Sequence, residues 1–431
     1  MLKKIFYILL LFISIKTYGQ RSNSSPYSFF GIGQQYSSQS VEQAAMGGVG
    51  VAFSSFYQLN LLNPAANADL RFATFAAGLN VNDLKVKDNS GTQGSTSTSL
   101  SYLNLGFPIG RNAGAVFGLK PNTSIGYSLL NVINDGNGDP FEATRFYGSG
   151  GTSKIYGAFG FGITKNLDLG FEVDYVFGTT ENNIVSQRID AQLGTKNNEV
   201  TTVRGAGLKF GLLYKKELAN SVLMTLGAAV KLESNLTTNG TEYLYSTVVG
   251  SNGFESPRDT LYRASISGKL KDPLKTTVGI GFGKENKWLA SMDYEFQNAI
   301  NIDGSLLTSN SFYTYGSSNR ISIGGFYLPK VNSISSYWER VTYRAGIRFE
   351  DTGLLIKGSS NSDFTKIKDF GISFGLGLPL RDLSNLNLGI EYGKKGSTIN
   401  NLIQENYFNF KVSLSLNAIG NLAWFVKRKI D

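Results

Sequence analysis

The chain has 431 residues, of which 41% are hydrophobic and 13% aromatic, and it carries a formal net charge of +9. Cysteine and histidine are both absent, which excludes disulfides, thiolate chemistry, histidine-based catalysis and the usual zinc sites. The lysines and arginines are scattered rather than clustered, which argues against nucleic acid as a partner. We therefore predict that the chain is not an enzyme and uses no cofactor or metal.

Residues 1–19 have the composition of a signal peptide. Two lysines precede an apolar run over residues 5–15, small residues follow, and cleavage is predicted before Gln20. The apolar run is short for a helix that crosses a bilayer. The segment predicts export from the cytoplasm.

Residues 20–70 lack the pattern of a strand ladder. They contain small residues, aromatics and a glycine pair, Gly47 and Gly48, which allows close backbone packing. Asn63, Pro64 and Ala65 have the composition of a turn that closes the segment. We predict an N-terminal plug folded inside the barrel that follows.

Residues 71–417 repeat one pattern, in which about ten residues alternate apolar with small or polar side chains before a turn. At about 3.3 Å per residue, tilted strands of this length cross a bilayer. The pattern predicts an all-β fold, a transmembrane antiparallel β-barrel of about fourteen strands whose outer face meets outer-membrane lipid and lipopolysaccharide. The predicted strands lie near 72–84, 100–109, 116–129, 155–163, 169–177, 208–214, 222–232, 261–282, 288–296, 321–328, 341–349, 370–378, 386–392 and 408–416.

The strand count depends on the eighth strand, which is drawn as one bent strand because Pro273 cannot donate a ladder hydrogen bond. If its two halves are separate, sixteen strands is the alternative. Residues 85–99 and 131–152 are predicted as polar loops. Both chain ends are predicted on the periplasmic side, where residues 418–431 would form a basic tail.

The third strand carries Pro121 at its middle, where the missing N–H removes one ladder bond. The alternation places Phe117, Ile125 and Tyr127 on the outer face. Two interpretations stay open at Pro121. Either the interruption opens the wall sideways, or Asn122 or a plug side chain fills the gap.

Ionisable residues occupy inner positions of several strands. Two pairs of carboxylates each share one inner face, about 7 Å apart by strand geometry, namely Glu172 with Asp174 and Asp293 with Glu295. That spacing also occurs in glycosidases, but no supporting carbohydrate motif accompanies it. We predict instead a lumen charge network in which the four carboxylates face Arg344 and Arg348.

The stretch AMGGVGVAF at residues 45–53, followed by NPAA at residues 63–66, resembles the plug of FadL-type long-chain fatty acid transporters. It is also similar to the related PorV-like barrels of the Bacteroidetes. The Gln20 start and the closing run WFVKRKID resemble Bacteroidetes outer-membrane proteins in general. The resemblance to this FadL/TodX-like group implies a fourteen-strand barrel, a plug in its lumen and a distorted third strand.

The resemblance leaves two functions open. FadL-like proteins import hydrophobic molecules passively, so the first hypothesis is passive transport of a hydrophobic small-molecule ligand across the outer membrane. PorV-like proteins serve a secretion machine, so the second hypothesis is a non-transporting accessory subunit with envelope protein partners, in a secretion or barrel-assembly complex.

Overall fold

The computed structural model describes residues 23–31, 33–250, 253–304, 312–359, 362–381 and 383–418. Over these residues the chain forms a closed antiparallel β-barrel, in which every strand pairs with the next along the chain and the last pairs with the first, Thr74 lying opposite Asn417. The fourteen strands are β1 (Thr74–Lys87), β2 (Thr92–Ile109), β3 (Ala113–Ile125 and Ser128–Asn134), β4 (Pro140–Gly162), β5 (Leu167–Arg188), β6 (Gly194–Glu217), β7 (Leu223–Lys231 and Ser234–Val249), β8 (Glu255–Asp272 and Lys275–Lys284), β9 (Trp288–Gln297 and Asn301–Gly304), β10 (Tyr313–Tyr315 and Ser318–Tyr327), β11 (Thr342–Ile356), β12 (Thr365–Pro379), β13 (Asn385–Gly396) and β14 (Gln404–Asn417).

The predicted fold class is therefore confirmed, and the sixteen-strand alternative is not needed. β8 is one strand broken at Pro273, as its missing N–H requires. The neighbouring strands β7 and β9 are interrupted beside this break, at residues 232–233 and 298–300. Because all three interruptions coincide, the ladder resumes in register on both sides of the break.

An outward apolar belt surrounds the barrel. Every strand contributes at least one large apolar side chain that is more than a third exposed, including Leu79, Leu105, Phe117, Ile155, Val173, Phe210, Leu226, Ile280, Met292, Ile323, Phe349, Phe374, Ile390 and Phe410. Such a belt is the surface that a transmembrane barrel presents to lipid. Charged side chains at this level point into the lumen instead.

On one side of the barrel the strands continue well past the belt. The extension, called the projecting sheet, comprises residues 128–134, 140–152, 178–188, 194–203, 237–249 and 255–268, paired in that order. It exposes charged residues such as Arg258, Asp259 and Arg263, and an arginine on a lipid-facing surface costs about 2–4 kcal/mol near the bilayer centre. The projecting sheet therefore lies in water.

The predicted loops at 85–99 and 131–152 are wrong, because most of their residues belong to strands. Residues 85–87 extend β1, residues 92–99 begin β2, and residues 140–152 form the outer part of β4. Beyond the lipid both faces of a sheet meet water, so the alternation of apolar and polar residues that marks a lipid-facing strand is missing there.

Residues 23–31 and 33–73, called the inner segment, lie within the barrel and contact strands around its whole circumference. The segment contains the two-residue inner strand Gln34–Gln35, the helix α1 (Val41–Ala44) and a 3₁₀ turn at Pro64–Asp69. Ser40 and Gln43 form a capping box that fixes the start of α1. No α-helix in the described ranges is long and apolar enough to cross a membrane.

The two ends of the described chain lie at different levels of the barrel. The backbone N–H of Ala418 donates to Ala73 at the end with the short turns, next to where β1 begins. Asn23 instead donates to the carbonyl of Ser124, beside Gly126 and far along β3. That both chain ends lie on the periplasmic side stays a prediction, because the two ends fall outside the described residues. The predicted signal peptide and almost all of the predicted basic tail lie outside the described residues.

Candidate functional site

The turn formed by Asn63, Pro64 and Ala65 is seated against three neighbouring strands of the wall. The Asn63 side chain caps the 3₁₀ turn by accepting from the Ala65 N–H at 3.1 Å, and its amide donates to the carbonyls of Val51 at 2.8 Å and Leu212 at 3.0 Å. Glycines of β4, β5 and β6 face this turn, and a Cβ at any of them would collide with it, namely Gly160, Gly170 and Gly211. The wall thus lacks side chains where the turn needs space.

The glycine pair lies on the opposite side of the lumen. Gly47 has φ +72°, and a Cβ there would lie 2.8 Å from the backbone nitrogen and oxygen of Ile347 on β11. Gly48 has φ +87° and faces the side-chain oxygen of Gln39. Only glycine combines this backbone conformation with so close an approach to a strand. The Gly47 N–H also donates to Ser373 Oγ on β12, at 2.8 Å.

Asp293 on β9 anchors the next part of the inner segment. Its Oδ2 accepts from the backbone N–H groups of Gly50 at 2.8 Å and Val51 at 2.9 Å. Asp293 itself is buried. Because an unpaired buried N–H is costly, this carboxylate holds both the position and the orientation of the segment.

Glu172 and Asp174 lie on the inner face of β5, as the alternation predicts, and both pair with lysines. Glu172 binds Lys120 on β3 at 3.3 Å and Lys209 on β6 at 2.7 Å, so one carboxylate on β5 links the adjacent strand β6 to β3, which lies two strands away on the other side. Asp174 pairs with Lys154 on β4 at 3.4 Å. All of these side chains are at most 12% exposed.

Glu295 also pairs within its own neighbourhood. It binds Arg320 on β10 at 3.0 Å and Lys275 on β8 at 3.2 Å. Arg320 in turn donates to Ser37 Oγ of the inner segment at 2.9 Å. Inner segment and wall are therefore joined through this charge cluster.

The predicted pairing of the four carboxylates with Arg344 and Arg348 is wrong. Arg348 binds Asp369 at 3.2 Å and Glu391 at 3.0 Å, on the two strands that follow its own. Arg344 donates to Asn387 at 3.1 Å, and Asn387 donates to Glu42 of α1 at 2.7 Å. These side chains meet partners one or two strands away, whereas opposite sides of this barrel are separated by the inner segment.

The third strand is irregular at Pro121 and Asn122. A register shift against β4 lies between Pro121 and Thr123, with Asn122 as the extra residue. Past it, Ile125 and Tyr127 point inward and are buried, so their predicted outward orientation is wrong. One extra residue reverses the face of every residue that follows, which explains the change.

The irregularity has different consequences on its two sides. Towards β4, Asn122 donates to Thr152 Oγ1 at 3.0 Å, which bridges the bulge. Towards β2, pairing ends at Leu103 opposite Leu119. Beyond that pair, residues 92–102 of β2 and the rest of β3 diverge, and among the described residues they form no bridge. The gap between these two edges is called the seam.

The inner segment occupies the first part of the seam. Gln34 and Gln35 pair antiparallel with Ser124 and Thr123. The Tyr36 N–H donates to the Asn122 carbonyl at 2.9 Å. Behind them lies a lumen cavity of about 280 Å³ whose lining includes Ser97, Ser99, Ser101 and Pro121, together with the charged residues around Arg348.

Sequence reasoning found the inner carboxylates but missed most of their partners. The partners that it did not single out are Lys154, Lys275 and Arg320, and it also missed Asp369 and Glu391, which pair with Arg348. Each lies at an inward position of its strand, so alternation could have marked them as lumen residues. It could not have paired them, because pairing depends on the register between neighbouring strands.

The closed fourteen-strand antiparallel wall with its apolar belt defines a transmembrane β-barrel. The fold is similar to that of a Pseudomonas aeruginosa FadL homologue (TM-score 0.59, 13% identity, 88% of this chain and 98% of that one) and of the Pseudomonas putida toluene transporter TodX (0.57, 18%, 89% and 98%). The monoaromatic hydrocarbon channel CymD is similar as well (0.54, 15%, 87% and 96%). At these identities the likeness concerns the fold alone.

A protein-family model described as BamG matches residues 1–431. The chain therefore belongs to the BamG family. None of the curated proteins compared with the sequence matches it.

Proposed function

We propose that this chain is a non-transporting subunit of a protein complex in the outer membrane. The observation that carries the proposal is the lumen at belt level, where the inner segment is bonded to the wall from Leu212 round to Ser373 and is surrounded by buried ion pairs. A hydrophobic molecule that crossed this lumen would have to displace charged pairs and pass polar walls, which is energetically unfavourable. Membership of the BamG family also favours the hypothesis of protein partners.

In this proposal the chain is exported by its signal peptide and inserts with its short turns in the periplasm. Bacterial barrels have short periplasmic turns and long outer extensions. The projecting sheet would then stand on the cell surface, where it is free to contact another protein.

Purification from native membranes tests the proposal. With a mild detergent and an affinity tag on the full chain, we expect at least one other large protein to copurify in stoichiometric amounts, before and after gel filtration. The matched control is a same-sized tagged barrel from the same membranes. A chain that elutes alone, with the same ratio of protein to detergent as the control, would overturn the proposal.

Passive transport of a hydrophobic small molecule is the second candidate. The observation that favours it is the seam, where the wall beside Pro121 is unpaired towards β2 and the lumen cavity reaches Pro121. Structurally similar channels are described as carrying toluene and monoaromatic hydrocarbons, so radiolabelled toluene is the appropriate probe.

This second candidate predicts that cells which express the chain take up toluene faster than cells without it, and that Pro121→Val reduces the difference. Val restores the backbone N–H and allows a regular ladder. Equal amounts of wild type and variant in the membrane, with the same heat-modifiable mobility on a gel, are the control. Uptake that does not depend on the chain would exclude transport of this class of molecule.

A further inference from the structure

Residues 128–134 of β3, called the β3 edge, form an unprotected strand edge in water. One side of this strand pairs with β4, from Ser128 opposite Tyr147 to Asn134 opposite Pro140. The other side pairs with nothing among the described residues. Leu130 is 69% exposed and Val132 is 44% exposed, although the projecting sheet lies beyond the lipid. Free backbone groups beside exposed apolar side chains are a template for another strand.

The opposite edge of the projecting sheet differs in composition. Residues 255–267 of β8 also lack a second neighbour among the described residues, since pairing with β9 begins only at Gly268. That stretch contains Pro257, Arg258, Asp259 and Arg263, the residue types that protect natural strand edges from further pairing. Residues 121–134 contain no charge, and the facing residues 92–103 of β2 contain none.

The chain already adds a strand of its own to the same edge of β3. The inner strand Gln34–Gln35 pairs with Thr123 and Ser124, and Tyr36 extends the contact to Asn122. The β3 edge lies just beyond this pairing, past the interruption at 126–127. It is therefore the unoccupied continuation of an edge that accepts strands by backbone hydrogen bonds.

The predicted mature N-terminus would be too short to cover the β3 edge. If cleavage occurs before Gln20, as the sequence predicts, three residues precede Asn23, which lies beside Gly126. Three extended residues span about 10 Å, whereas the seven residues of the edge span about 23 Å. The other end of the described chain, Ala418, lies at the opposite end of the barrel.

We propose that an extended, uncharged segment of a partner polypeptide adds as a strand to the β3 edge, inside the seam. This inference rests on the proposed function, since it assigns the surface through which a subunit would hold its partner. The backbone of residues 128–134 would supply the hydrogen bonds of the new ladder, and Leu130 and Val132 would contact alternate side chains of the added strand. The facing Ser and Thr residues of β2 suit a partner segment without charge.

Site-specific crosslinking tests the location. The photoreactive amino acid p-benzoylphenylalanine replaces Leu130 in the full chain, expressed in its native membranes, and replaces Leu261 on the β8 edge as the matched control. Leu261 is 57% exposed and also apolar, but it lies on the protected edge. We expect a discrete crosslinked band containing another polypeptide at position 130 and none at 261. Equal crosslinking at both positions, a band containing only a second copy of this chain, or a product with lipopolysaccharide would overturn the proposal.

Two further measurements separate strand addition from mere proximity. In the purified complex, backbone amides of residues 128–134 should exchange at least tenfold more slowly than in the isolated chain, with residues 255–267 unchanged. The double variant Leu130→Lys, Val132→Lys places the usual protective charges on the edge and should lower copurification of the partner at least tenfold. Because both positions are exposed, membrane level and heat-modifiable mobility should stay normal.

The outcomes also separate this inference from the proposed function. If partners copurify equally well with the double variant, and residues 128–134 show no protection, strand addition at the β3 edge is wrong while the proposed subunit role stands. If no partner copurifies with the wild-type chain, the subunit role itself fails and the inference fails with it.

Discussion

The same strands have different surroundings at the level of the apolar belt and in the projecting sheet. At belt level the wall has apolar side chains outside and the inner segment inside, and the Glu172 side chain is 4% exposed between its two lysines. In the projecting sheet the ion pair of Lys196 and Glu255 keeps 17% and 13% of its side chains exposed, and both sheet edges lack a further strand among the described residues. At belt level, buried ion pairs join the wall and the inner segment into one unit. The projecting sheet is stabilised mainly by the backbone hydrogen bonds between its own strands.

The comparison predicts that loss of a lumen carboxylate costs far more than loss of an exposed one. Glu172→Gln leaves Lys120 and Lys209 buried without an anion, and we expect the free energy of unfolding to fall by about 3–5 kcal/mol. The control is Glu233→Gln, whose partner Lys271 lies at 2.9 Å with both side chains nearly half exposed. Removing that pair should cost less than about 1 kcal/mol. Urea unfolding in detergent micelles measures both, and equal losses would remove the distinction between buried and exposed ion pairs.

The next effect concerns the anchor of the inner segment. Asp293→Ala leaves the N–H groups of Gly50 and Val51 without their acceptor, so we expect a loss of about 2–4 kcal/mol. Hydrogen exchange at these two amides should accelerate at least tenfold. Ser291→Ala is the control, because Ser291 bonds mainly to the Ile280 carbonyl, at 3.0 Å. Unchanged exchange at Gly50 and Val51 would contradict the anchoring role.

A smaller effect follows from close packing at the glycine pair. Gly47→Ala combines a positive φ with a collision against the Ile347 backbone, whereas Gly110→Ala at φ +64° has open space around its Cβ. The φ cost alone is about 1–2 kcal/mol, and the collision should add about 1–3 kcal/mol at position 47. Thermal midpoints of both variants measure the difference. If Gly110→Ala destabilises as much as Gly47→Ala, the contact with β11 contributes nothing.

The smallest effect is a pH dependence in the projecting sheet. Burial would raise the pKa of Glu255, but hydrogen bonds from Lys196 at 2.8 Å and Tyr147 at 2.6 Å outweigh it and hold the pKa below its ordinary 4.5. Burial lowers the pKa of Lys196, but its hydrogen bonds with Glu255 and Tyr147 outweigh burial and raise the pKa above 10.5. The stabilisation from Glu255 is present above its unfolded pKa and is lost as pH falls through its lower folded pKa. That from Lys196 is present below its unfolded pKa and is lost as pH rises through its higher folded pKa.

The wild-type pair should therefore stabilise the projecting sheet across the range between these two limits, by less than about 1 kcal/mol. Glu255→Gln should flatten the acidic side of this profile. Hydrogen exchange of residues 194–203 and 255–260, followed from pH 3 to pH 7, measures it. If exchange in Glu255→Gln still becomes faster as the pH falls, as it does in the wild type, the pH dependence belongs to another group.

Much of the wall could be predicted because its signal is local. Strand β8 was located, bend included, from its alternation and from Pro273, since lipid on one side forces apolar residues to every second position. Residues 92–99 of β2 and 140–152 of β4 were predicted as loops, because water on both faces removes the requirement for an apolar residue at every second position. Glu172 and Asp174 were placed on the inner face for the same local reason, and Lys154 could have been.

The sequence by itself determined a barrel of about fourteen strands, most of its lipid-facing residues and the uncharged composition of the β3 edge, because each depends mainly on neighbours along the chain. The tertiary structure alone decided which charges pair, where the inner segment is bonded and where β2 and β3 part. Those outcomes depend on register between strands. One extra residue at Asn122 changes the facing of all that follow in β3, and no local pattern encodes such a shift.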